Sequence, residues 1–261
     1  MAELEPWRVL RKGDPRDLVL AVDFYAPGRA EAGFDDFAPL LDGDYEIWEA
    51  VQPALGAETA MDSEDYLERW LKAVPAEARV RGVIGFCVGG VWSSTLGERL
   101  GERSGAMPPI VMFDPEPVTS LVLYWQYHKL LDKLGSILTS DELAKAKIDG
   151  IAIPETSDDL RVVGDGLAKL YRELGDVGLA RLGLDQVRRE EMTALFDSYI
   201  SYLVASSELT PAADLSTSVV ISSDAPADGV YLGGREISFD IDRHELLRAP
   251  EVALRVSELL G

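Results

Sequence analysis

Apolar positions fall into short unbroken runs and longer runs at helical spacing, and the two alternate over residues 1–116. Residues 7–10 and 18–24 predict two strands separated by the turn Gly13-Asp14-Pro15-Arg16. In the second, Leu18, Val19, Leu20, Ala21 and Val22 run without a polar break, the pattern of a strand covered on both faces. A helix or turn is predicted over 36–41 and a strand over 45–51. Asp62 or Ser63 caps a helix over 64–73, where Tyr66, Leu67, Trp70 and Leu71 share one face. A strand then ends at Gly85, and helix-compatible sequence covers 91–103. Ile110-Val111-Met112-Phe113 is the next strand, stopped by Asp114-Pro115. This alternation predicts an α/β fold, a mostly parallel central sheet with helices on both faces.

From residue 117 to residue 207 the rhythm becomes helical. Residues 121–134 are apolar and aromatic, with Tyr124, Trp125 and Tyr127. Thr139 or Ser140 precedes Asp141-Glu142, the start of a short helix to Lys147. Apolar positions 160, 163, 167, 170 and 174 line one face of a further helix, and 185–205 read as a long amphipathic one. A block of this length is too long for a bare loop. It predicts a helical lid, 117–207, inserted into a core of 1–116 and 208–261. Strand signals return over 217–222 and 236–239, and a helix over 250–260 closes the pattern.

Charge narrows the partners. A net charge of -21 over 261 residues argues against nucleic acid and against anionic membrane surfaces. The densest basic cluster, Arg8, Arg11, Lys12 and Arg16, reads as a solvated surface. One Cys excludes an internal disulfide. The first residues carry neither a basic n-region nor an apolar h-region, and no apolar run reaches the length of a membrane span. A cytoplasmic protein is expected. One Cys and two distant His make no metal cluster, and no phosphate-binding glycine motif occurs, so no cofactor is expected.

The chemistry centres on Gly85-Phe86-Cys87-Val88-Gly89-Gly90. A nucleophile flanked by glycines two positions either side, between a strand and a helix, is the G-x-S-x-G elbow with Cys in place of Ser. The alternative for the motif alone is a tight turn with an inert buried Cys. His244, after the last predicted strand, stands where a general base is supplied. His128 in the helical block reads as packed or pocket-lining, a weak substrate contact. Asp114, Asp224, Asp228, Asp240 and Asp242 compete to orient the imidazole. Asp114 is favoured, because its strand is predicted to neighbour the elbow strand. An oxyanion hole would take one N–H from Val88 and a second from Ala26 or Gly28, since Pro27 has none. Tyr25 lies near the expected site as a weak substrate contact.

These stretches resemble the chain-releasing thioesterases of polyketide and nonribosomal peptide assembly lines, of the α/β-hydrolase fold. The resemblance rests on five segments. They are the run into Asp23-Phe24-Tyr25-Ala26-Pro27-Gly28, the elbow, Ile110 to Asp114, His244-Glu245-Leu246-Leu247, and the terminal Val256 to Leu260. It implies a Cys87-His244-Asp114 triad acting on an acyl thioester held by an acyl or peptidyl carrier protein. Cys departs from the family's usual Ser, and Pro27 falls near its oxyanion donor. An acyl group on Cys remains a thioester, reactive toward alcohols and amines, so transfer or cyclisation stands beside hydrolysis. A second reading is a dienelactone-hydrolase-like enzyme opening small lactones or esters, which also uses a Cys elbow. A third is an inactive binding protein on a hydrolase fold.

Overall fold

A computed structural model describes residues 6–24, 30–58, 61–210, 212, 214–225 and 229–261. Tyr25, Ala26, Gly28 and Asp228 lie outside the described residues. In chain order the strands and α-helices are β1 (Trp7–Arg11), β2 (Asp17–Val22), α1 (Phe34–Phe37), β3 (Glu46–Ala50), α2 (Ser63–Ala73), β4 (Arg79–Phe86), α3 (Val88–Ser104) and β5 (Ile110–Phe113). They continue as α4 (Ser120–Lys133), α5 (Ser140–Ala152), α6 (Leu160–Arg181), α7 (Gln186–Ser206), β6 (Ser218–Ser222), β7 (Arg235–Ser238) and α8 (Pro250–Leu260).

The strands form one sheet in the order β1-β3-β2-β4-β5-β6-β7. Only the β1–β3 pairing is antiparallel. β4 is the middle strand, flanked by β2 and β5. The unbroken apolar runs explain why: Leu18 to Val22 are buried throughout, as are Ile110 to Phe113. Phe34 and Phe37 of α1 pack edge-on against Phe113 at 6.0 and 5.2 Å between ring centroids. Tyr66, Trp70 and Trp92 form a buried aromatic cluster between α2 and α3, with Trp70 and Trp92 at 5.2 Å.

The chain divides into two compact units. The first comprises Met1–Gln52, Asp62–Pro117 and Leu209–Gly261, and contains the whole sheet. The second comprises Pro53–Met61 and Val118–Glu208, and contains α4 to α7. Within it, α6 and α7 pack through Tyr171 and Phe196, whose rings are 4.3 Å apart, and through the Arg172–Asp197 ion pair at 2.8 Å. The spacing of apolar residues ends the α6 helix near Leu174, yet it continues to Arg181. Gly175 and Gly178 lie inside the extension, where helix propensity is weakest. Gly175 has no Cβ because one would stand 2.6 Å from Thr193 Cγ2 of α7. Close helix contact therefore outweighs local propensity. No helix of the described residues is long and apolar enough to cross a membrane.

Candidate active site

β4 runs to Phe86, and α3 starts at Val88, so Cys87 alone makes the turn. Its backbone sits at φ 54°, ψ -121°, a region L-residues rarely occupy. Two neighbours must lack side chains for this turn to close. A Cβ on Gly85 would stand 2.1 Å from the Gly89 carbonyl oxygen, and one on Gly89 would stand 2.0 Å from the Val22 carbonyl oxygen. The Cys87 N–H donates to Phe113 O at 2.9 Å, and its carbonyl accepts from Gly90 and Glu116 N–H at 3.0 and 3.3 Å. The strained residue is thus tied to β5 and to the loop beyond it.

Asp114 is the other non-glycine residue with positive φ among the described residues, at 39°. It ends β5, directly beside the elbow strand, where Phe86 pairs with Phe113. Its side chain is buried. Oδ1 accepts from the Ser223 N–H at 2.8 Å, whereas Oδ2 has no partner among the described residues. Backbone strain at two adjacent points of one sheet edge marks a built site.

The sulfur's surroundings differ from the expected triad. Cys87 is partly buried, and its Sγ donates to Glu116 Oε2 at 3.1 Å. The Arg243 guanidinium lies 3.7 Å from the same oxygen and 5.3 Å over the Phe86 ring, and its charge acts on the sulfur. Burial pushes the Cys87 thiol up to about 12, and the Glu116 charge and hydrogen bond add to it. Arg243 and the Val88 N–H at the start of α3 oppose the rise.

His244 turns elsewhere in this conformation. Its Nδ1 lies 2.8 Å from Asp242 Oδ1, which also accepts the His244 backbone N–H at 2.7 Å. An Asp bonding the N–H two residues ahead is a local turn, and here it holds the ring too. Both bonds keep the Asp242 carboxyl below its ordinary value. The imidazole is half exposed, while the His244 carbonyl is anchored by the Ala32 N–H at 2.9 Å. The structure therefore brings Cys87 to Glu116 and Arg243, and His244 to Asp242. It places no hydrogen bond between Cys87 and His244 or between His244 and Asp114. Asp224, the competing orienter, is exposed, and its carboxylate accepts no bond from a described residue.

Val88 follows Cys87 directly as the first residue of α3, and its N–H holds the thiol down against the rise. Ala26 and Gly28, expected to supply a second oxyanion donor, lie outside the described residues. His128, on α4 of the helical unit, packs against Tyr124 and Trp125 at 5.9 and 5.4 Å and lies 3.8 Å from Asp132. Three residues of the basic cluster near the start of the chain are engaged in contacts with nearby groups. Arg8 pairs with Glu49 and Asp35, Arg11 reaches the Ala38 and Gly43 carbonyls, and Arg16 pairs with Asp14.

Alkylation tests the electrostatics. Only the thiolate reacts, and a thiolate of higher pKa is the stronger nucleophile, so a thiol near 12 is expected to react with iodoacetamide at pH 8 about 30- to 100-fold more slowly than Cys87 of the denatured chain. Equal rates would show that the thiol is neither dehydrated nor charge-shielded.

No family profile matches the chain, and no curated protein matches it in sequence. Solved structures do. The Vlm2 thioesterase domain carrying genetically encoded 2,3-diaminopropionic acid and a dodecadepsipeptide aligns with a TM-score of 0.52 and 18% identity, over 98% of this chain and 96% of its own. The same domain in a second crystal form gives 0.50 and 20% identity, again over 98% and 96%. The fold is that of the α/β-hydrolases. Within that fold Cys87 makes the turn from the middle strand β4 into α3, and Asp114 ends the neighbouring strand β5.

Proposed function

We propose that the chain is a thioesterase-like acyl-processing enzyme with Cys87 as nucleophile. One observation carries the reading. Cys87 holds a strained backbone at a strand-to-helix turn, with its sulfur bonded to Glu116 and Arg243 beside that carboxylate. A structural cysteine needs none of these. The whole-length likeness to a thioesterase domain supports the reading. In the active arrangement His244 swings from Asp242 to Asp114, whose buried Oδ2 has no donor among the described residues and suits an imidazole N–H. The imidazole then takes the thiol proton as sulfur attacks the acyl carbon, and returns it to the departing thiol. The Val88 N–H holds the oxyanion. The acyl donor is a thioester, on a carrier protein by the resemblance. The acyl group leaves Cys87 by hydrolysis, cyclisation or transfer.

Intact-protein mass spectrometry with a panel of acyl-N-acetylcysteamine thioesters tests this. The wild type is expected to gain the acyl mass transiently on Cys87. His244→Ala is expected to acylate about 10²- to 10⁴-fold more slowly. Water, alcohol and amine acceptors then separate the routes of release. No adduct and no turnover with any member would sink the thioesterase reading and favour the small-lactone alternative.

A further inference from the structure

Glu116 touches the nucleophile yet has no part in the expected triad. Pro115 and Pro117 bracket it, so the segment is held out of helix. The Pro115 carbonyl accepts the Gly229 N–H at 3.0 Å, and the Glu116 N–H donates to the Cys87 carbonyl at 3.3 Å. The backbone thereby returns over the elbow and presents Oε2 to the sulfur at 3.1 Å. The side chain keeps 29% of its surface exposed, so a molecule arriving from solvent reaches it.

We propose that Glu116 is the general base of acyl release, taking the proton of the acceptor that attacks the acyl-Cys87 thioester. The inference rests on the reading of Cys87 as the acyl-carrying nucleophile. In the resting chain Oε2 accepts the S–H bond. Acylation removes that hydrogen and leaves the carboxylate without its donor, still beside the sulfur. An acceptor X–H, whether water, alcohol or amine, approaches the carbonyl carbon one bond from sulfur and replaces the thiol as donor. Geometry of this kind is the first requirement for a general base. As the X–C bond forms, the proton passes from X to Oε2. The tetrahedral intermediate collapses, the C–S bond breaks, and the Cys87 thiolate leaves beside the Arg243 guanidinium. The thiolate then takes the proton from Glu116. The cycle ends on the Cys87–Glu116 hydrogen bond present in the structure.

Glu116→Gln keeps the size and an acceptor oxygen but cannot take a proton. With an acyl-N-acetylcysteamine that acylates the wild type, Glu116→Gln is expected to form the Cys87 adduct and retain it, with release slowed about 10²-fold or more. Its thiol is expected to alkylate at lower pH than the wild type, because the facing negative charge is gone. Glu116→Ala gives a second arm: added formate is expected to speed release from this variant and not from wild type. Release from Glu116→Gln at the wild-type rate, or no formate rescue of Glu116→Ala, would overturn the proposal. A wild type that never acylates Cys87 would instead remove the underlying reading, and the proposal with it.

Discussion

Cys87→Ala is expected to lower thioester turnover by about four to six orders of magnitude and to abolish the acyl adduct. Alanine fills the elbow position with the least change. It keeps the Cβ at φ 54° and leaves Gly85 and Gly89 undisturbed, so the folded chain should be retained. What is lost is the sulfur, the one atom among Cys87, Glu116 and Arg243 that can carry an acyl group under mild conditions. Residual turnover would come from the Val88 N–H and substrate orientation alone. Cys87→Ser separates nucleophile from acyl carrier. Serine would hold the acyl group as an oxygen ester, a poorer acyl donor to amines than a thioester. Release from Cys87→Ser to an amine is therefore expected to be slower than from wild type, read by mass spectrometry of the adduct. Wild-type turnover by Cys87→Ala would end the covalent mechanism, and equal aminolysis from both carriers would end the argument from the thioester.

The elbow was legible because its physics is local. Two glycines around Cys87 mean a turn that no further Cβ can enter, and the 2.1 and 2.0 Å approaches are its structural counterpart. β2 was legible because five consecutive apolar residues have only one comfortable place, the middle of a sheet. The position of Asp114 followed from strand order, since β5 pairs with β4. Glu116 and Arg243 were not legible. Glu116 is one of 46 acidic residues, and nothing in its spacing distinguishes it. Its two flanking prolines were the available signal, because they forbid the helix that could otherwise follow β5. Arg243 precedes His244, and in a loop the sequence does not say which of two neighbours turns inward. The loop puts Arg243 against Phe86 and leaves the imidazole half exposed on Asp242. Membership of Pro53–Met61 in the helical unit is a long-range packing outcome that local pattern does not encode.

Gly89→Ala is expected to destabilise the fold by about 3 kcal/mol or more, through overpacking against a rigid neighbour. The added methyl would lie 2.0 Å from the Val22 carbonyl oxygen. Neither side of that contact yields easily. Val22 ends a strand bonded on both sides, to β3 and β4 through its neighbours, and Gly89 belongs to the first turn of α3. A backbone carbonyl cannot rotate away as a side chain can, so β2 and α3 must separate. That separation moves Val88, whose N–H serves the sulfur, and activity should fall along with stability. For a chain of this size the loss corresponds to roughly 5–10 °C in Tm. Gly135→Ala is the matching control: its Cβ would meet only Leu143 Cδ2 at 3.9 Å, ordinary contact, and Tm should stay within about 2 °C. Calorimetry on the two variants reads the difference directly. An unchanged Tm for Gly89→Ala would mean that β2 and α3 stand farther apart than the structure places them, and the proposed use of the Val88 N–H as an oxyanion donor would fall with it.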